Sequence, residues 1–337
     1  MKKAAYTTGV LILVAMVAVP LSFGQAGESA ALSIREWPVP WSGTRPRDPY
    51  LAPDGTVWFV GQQGDYLARL NPDSGEMERF ELPRGAGPHT VIVDDAGVPW
   101  YAGNRDRHIG KLDPDSGEIT RYEMPAGVND PHSMAWTSGG SIWFTVQRSA
   151  PAGYIGLFSP ESGRTEVIRV PGRAMRPYGI AVDADDRPWI AFMGTNAIGT
   201  VDPRSMELEV VETPHAGSRI RRLSLDSRGR VWWVDASAGY FGVYDPADRS
   251  MRQWQSPGGP RAGLYATAVD NRDRFWFAEA GPNPNRIIGF DTVSEQVISQ
   301  TEVPSGGGSV RNMVYHEPTD ALWFGTDAHT IGRAVVP

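Results

Sequence analysis

Arg176-Pro-Tyr-Gly-Ile-Ala-Val-Asp183, Arg187-Pro-Trp-Ile-Ala-Phe192, Ala197-Ile-Gly-Thr-Val-Asp-Pro203 and Glu207-Leu-Glu-Val-Val-Glu-Thr-Pro214 follow one another with only a few turn residues between them. Each run has the length of a strand, is rich in β-branched and aromatic residues and is bounded by Gly, Pro, Asp or Asn, so the stretch reads as four short antiparallel strands. Its Pro188-Trp189-Ile190 step recurs as Val57-Trp58-Phe59, Pro99-Trp100-Tyr101, Ile142-Trp143-Phe144, Val231-Trp232-Trp233, Phe275-Trp276-Phe277 and Leu322-Trp323-Phe324. Seven steps at intervals of 42 to 47 residues have the period of a four-stranded blade. The prediction is an all-β, seven-bladed β-propeller with four antiparallel strands per blade.

The other runs repeat with the tryptophans. Ile109-Gly-Lys-Leu-Asp-Pro114 and Ile155-Gly-Leu-Phe-Ser-Pro160 end a third strand, and Asp115-Ser-Gly117 and Glu161-Ser-Gly163 place Gly where a tight turn needs positive φ. The last copy stops at Ile331-Gly-Arg-Ala-Val-Val-Pro337 without an outer strand, while Ser33-Ile-Arg-Glu-Trp-Pro-Val-Pro40 looks like an orphan one. The N-terminal strand is therefore expected to complete the seventh blade, which removes an exposed sheet edge. Residues 27–337 form one domain on this reading.

Residues 1–26 have a different plan. Lys2 and Lys3 precede an apolar run from Val10 to Val19 and then small residues up to Ala26, the pattern of a secretory signal peptide. The chain has no cysteine, which excludes disulfides and thiolate chemistry, and export without cysteine points to a bacterial periplasm or the medium. Its net charge is −7, or −9 without Lys2 and Lys3, and no run of Lys or Arg occurs, which excludes nucleic acid as a partner. A monomer, free of the membrane once the signal is cleaved, is expected.

Propellers bind ligands at one mouth of the central channel, and the repeat says which residues line it. Counting back eleven from most of the tryptophans, with a three-residue deletion in the first blade and one insertion in the last, gives Tyr50, His89, His132, Tyr178, Arg221, Tyr265 and Arg311. No member is aliphatic or small, so an aromatic, imidazole and guanidinium ring facing one channel is a candidate binding site. His89 and His132, each after proline in adjacent blades, are candidate general bases or metal ligands. Asp130, two before His132, is a candidate partner or cation ligand. Asp48, two before Tyr50, is read as a turn former. Arg221, Arg222 and Arg311 suit a carboxylate, phosphate or enolate oxygen. Asp235 and Glu279 fall where blade packing explains them as well as a role at the mouth does.

With its blade read as Pro-His/Tyr-x-Ile/Val, Asp-x-x-Gly, Trp-Phe, Ile-Gly-x-Leu and a closing Pro, the chain resembles the virginiamycin B lyase (streptogramin lyase) family over residues 33–337. The resemblance implies a Mg²⁺-dependent elimination that opens the ester linkage of a cyclic depsipeptide, using two histidines from neighbouring blades and two glutamates near the metal. By local motif the histidines are His89 and His132, and the acidic positions fall on Asp130 and, four past Trp143, on Gln147. One carboxylate is thus shortened and the other replaced by an amide. The histidine blades are here the second and third, whereas in the family they are the last two. Two expectations stand side by side: an exported, metal-assisted lyase or hydrolase of an ester or lactone, and a non-catalytic propeller that binds a small acid, sugar, peptide or protein partner at the same mouth.

Overall fold

The computed structural model describes residues 31–148, 152–172 and 175–337. They form seven four-stranded antiparallel sheets, each ordered from the channel outward as in the chain, except the last. Inner strands such as Pro88–Val93 and second strands such as Pro99–Gly103 are buried along their whole length, while outer strands such as Met77–Glu81 alternate half-buried and exposed residues. The predicted signal peptide lies outside the described residues.

In the seventh sheet Ser33–Pro38 is the outer strand, paired antiparallel with Thr330–Val335 from Ser33 opposite Val335 to Pro38 opposite Thr330. The expected closure is what forms. Trp37 is buried there and stacks on Trp323, ring centroids 5.4 Å apart.

Local chemistry explains the repeat. In four blades the tryptophan indole N–H donates to an aspartate six residues earlier, Trp100 to Asp94, Trp189 to Asp183, Trp232 to Asp226 and Trp276 to Asp270, at 2.8–3.1 Å. The same carboxylates cap the turn between the first two strands, where Gly97 and Gly229 take φ of +82° and +74°. The glycine of the third strand is equally determined, because a Cβ at Gly156 or Gly289 would overlap the ring of Phe144 or Trp276 on the neighbouring strand.

Every inner strand also slips register against its neighbour, as between Pro88 and Val91, Pro131 and Met134, and Leu264 and Thr267. Such a bulge re-aims side chains, and here it turns the second residue of each inner strand toward the channel.

Candidate functional site at the channel mouth

One mouth of the channel opens into a cavity of about 370 Å³ lined by Arg45, Arg47, Gln62, His89, Arg105, Asp130, His132, Gln147, Arg148, Tyr178, Arg221, Tyr265 and Arg311. Six of the seven ring positions read from the sequence, with Asp130 and Gln147, are therefore brought together. Among the ring positions Tyr50 is the exception and a correction. Pro46 opposes Gly61 as Pro88 opposes Gly103, so Arg47 holds the position of His89, and no deletion exists in the first blade. Tyr50 opposes Trp58 and is half-buried in a different cavity, about 470 Å³, beside Asp94, Asp95, Trp100 and Trp136. That cavity is larger, but the convergent charges are at the mouth.

His89 and His132 pack ring against ring at a tilt of 36°, centroids 3.4 Å apart, and His132 also packs on Tyr178 at 4.2 Å. They are buried rather than partly exposed, at 3% and 2%. The Nδ1 of each meets the hydroxyl of the next residue, Thr90 or Ser133, at 3.1 Å. Burial holds both imidazoles well below the ordinary histidine range, and the Arg47 and Arg222 guanidiniums push them further down. They are neutral at pH 7.

Asp48 is not a surface turn residue but a buried carboxylate at 1% exposure, at a φ of +48°. It accepts from Arg47 Nε at 3.0 Å, Thr90 Oγ1 at 2.9 Å and, from across the channel, Arg222 Nη2 at 3.4 Å. Burial alone would raise its pKa, but the two guanidiniums hold it below the usual carboxylate range. Arg222 also reaches Ser133 Oγ at 3.3 Å, which ties the first, third and fifth blades together.

On the other arc Tyr265 stands between Arg221 and Arg311, whose guanidinium carbons lie 4.2 and 5.5 Å from its ring centre. Its hydroxyl is hydrogen-bonded to that of Tyr178. Burial pushes the Tyr265 phenol up, yet Arg47, Arg221, Arg222 and Arg311 together bring it down to about 8. Tyr178 is pushed up to about 12 by burial and by its partner. Three buried guanidinium N–H groups, Arg47 Nη2, Arg221 Nε and Arg222 Nε, have no hydrogen-bond partner among the described residues.

The residues present do not fit Mg²⁺. Both oxygens of Asp130 accept from the Arg148 backbone N–H at 3.0 Å, and Gln147 Oε1 accepts from Arg176 Nη2 at 2.8 Å. Six arginines line the cavity against one carboxylate, and among the described residues no group of three or more His, Asp or Glu is arranged to hold a metal. Asp235 and Glu279 are fully buried away from the mouth: Asp235 accepts from Ser218 and the Arg219 N–H, Glu279 from Arg286 and the Gly258 N–H. Both serve packing of the fold.

The neutral imidazole pair has a consequence for stability. Both groups are uncharged when folded and take up protons when unfolded, so their contribution is complete above the ordinary histidine value of about 6.5 and is lost below it, at about 2.7 kcal/mol per pH unit for two protons. Urea unfolding across this range should show the loss, and the double variant His89→Gln, His132→Gln should flatten it. An unchanged slope in that variant would mean that other groups set the acid limit.

Arg47, Thr90 and Ser133 escape the sequence reading, which takes Asp48 for a turn former. For Arg47 the signal existed, since eleven residues back from Trp58 is Arg47.

The virginiamycin B lyase family model matches residues 27–157, the stretch that carries Pro88-His89 and Pro131-His132. The comparison with curated proteins found no match. Among solved structures, a streptogramin B lyase is 21% identical, with a TM-score of 0.81 over 91% of this chain and 98% of the other. A catalytically inactive virginiamycin B lyase from Staphylococcus aureus with quinupristin is 20% identical, with a TM-score of 0.81 over 91% and 100%. Hydrazine synthase of Kuenenia stuttgartiensis is 10% identical at 0.73 over 88% and 97%. At these identities the structural likeness is one of fold, and this chain is a streptogramin-lyase-like seven-bladed propeller that resembles the virginiamycin B lyase family.

Proposed function

We propose that the channel mouth takes a small molecule or peptide bearing a carboxylate or an ester carbonyl, and that the chain is an exported lyase or hydrolase that opens an ester or lactone by removing a proton beside that carbonyl. The observation that carries this reading is that two residues lining one cavity, Arg47 and Arg221, each hold a buried guanidinium N–H without a partner, Nη2 and Nε. A buried unsatisfied donor costs about 1–3 kcal/mol, so two at one cavity are best explained by an anion that meets them. Guanidiniums match carboxylates in two-pronged geometry and stabilise charge developing on an enolate oxygen. The positive charge that a divalent cation would supply in the resembling family comes here from arginine, and no step passes through Mg²⁺. A non-catalytic binder of small acids is the second reading, favoured by the suppressed basicity of His89 and His132.

Calorimetry with oxalate, and with its neutral diamide oxamide as control, tests the reading. Arg221→Ala should weaken oxalate by roughly 10- to 150-fold, about 1.5–3 kcal/mol for a charge-assisted hydrogen bond, and leave oxamide little changed. EDTA should make no difference, and Mg²⁺ should not raise the melting temperature of stripped protein. Oxalate binding that disappears in EDTA would replace the arginine site with a metal site.

A further inference from the structure

We propose that Tyr265 is the proton acceptor of this mouth, an oxygen base held by the guanidiniums that surround it and by the hydroxyl of Tyr178. The inference rests on the anion-binding reading above and takes the place of a histidine base.

Tyr265 is the second residue of its inner strand, so the bulge between Leu264 and Thr267 aims it into the cavity. Arg221 and Arg311 flank its ring from the two adjoining blades, Arg222 follows Arg221 on the same strand, Arg47 of the first blade adds its charge, and Tyr178 is bonded to the Tyr265 hydroxyl. The remaining titratable neighbours do not cancel this positive field. His89 and His132 are neutral, Asp48 is tied to Arg47 and Arg222, and Asp327 is tied to Arg311 at 3.0 Å.

The sign of the field decides which residue can be the base. Protonating an imidazole here adds a cation among four guanidiniums, whereas ionising the phenol places a negative charge where they attract it. Burial, and then this field, hold the histidines well below their ordinary value, whereas the field acts against burial on Tyr265 and brings it down to about 8, close to the pH at which a base works best. Tyr178 stays protonated and donates to the phenolate.

The step balances without a co-reactant. The phenolate oxygen takes the proton from the carbon beside the carbonyl and becomes a hydroxyl. The C–H pair becomes the C=C bond of an enolate, whose oxygen charge falls to the guanidiniums. Where the next carbon carries an acyloxy group, the enolate pair expels it as a carboxylate and that C–O bond breaks.

Titrating the whole protein and following tyrosinate absorbance tests the proposal. Wild type should form one tyrosinate with a midpoint near pH 8. Tyr265→Phe should lack that step. Arg221→Ala should move it up by about one pH unit, and so should saturating oxalate, a second anion in the same cavity. Should Tyr265→Phe not fold, Tyr178→Phe serves instead, since loss of its hydrogen bond should also raise the midpoint. Exchange of the methyl protons of pyruvate with D₂O, followed by NMR, should be faster with wild type than with Tyr265→Phe at equal pyruvate affinity. Equal exchange rates, or a tyrosinate step that survives Tyr265→Phe, would overturn the assignment. Oxalate that fails to bind while the tyrosinate step persists would sink the anion-binding reading and leave the ionised tyrosine standing.

Discussion

Asp48→Asn is expected to lower the free energy of unfolding by about 3–5 kcal/mol, the usual cost of removing one partner from a buried ion pair and leaving the other charged. Arg47 is 4% exposed and Arg222 6%, and Asp48 is the carboxylate both of them reach. Asparagine isolates the charge: it keeps the side-chain shape and tolerates the φ of +48° at this position as well as aspartate does. Because the folded-state pKa of Asp48 lies below its unfolded value, its contribution is present above the ordinary carboxylate range and is lost only as pH falls through the folded-state value. The difference between variant and parent should therefore persist at neutral pH and shrink only in strong acid. Oxalate should narrow it, since an anion in the cavity compensates the same guanidiniums. A variant within about 1 kcal/mol of the parent, below the range for an uncompensated buried charge, would mean that Arg47 and Arg222 are balanced from elsewhere.

The place of Asp48 shows where text and structure part. The architecture was legible because tryptophans every 42 to 47 residues mark second strands that each blade buries, and counting back from them finds the channel in blades two to seven. In the first blade Asp48-Pro49-Tyr50 imitates Asp130-Pro131-His132, and the imitation misleads. Which residue points inward is set by where the bulge interrupts the ladder, after Arg47 in this blade, and similarity of words does not report it. A bulge also presents two successive residues to the channel where strand alternation allows one. That is why Asp48, Thr90, Ser133 and Arg222 join the site although a period of two puts them on the other face. The depth of the histidines was equally hidden. Each is covered by the other and by Tyr178, a contact between blades that no single repeat contains.

Trp37→Ala is expected to cost about 3–5 kcal/mol, the range for emptying a buried aromatic site. Its indole is 5% exposed, stacked on Trp323 and packed with Val39, Val57, Phe59 and Ile331. The guanidinium of Arg35 lies 4.5 Å from its ring centre on the same strand. The larger consequence lies in where the loss falls. The seventh sheet is completed by the pairing of Ser33–Pro38 with Thr330–Val335, held further by Glu36, whose carboxylate accepts from Ser305 and Thr330. Releasing that strand exposes Thr330–Val335 as a sheet edge whose unpaired N–H and C=O groups can template another chain. Hydrogen exchange should then speed up first in the amides of these two strands, while the third and fourth blades stay protected, and the variant should aggregate below the temperature at which the parent unfolds. Uniformly raised exchange across all blades would show instead that the ring yields as one unit and that the N-terminal strand is no weaker a seam than any other.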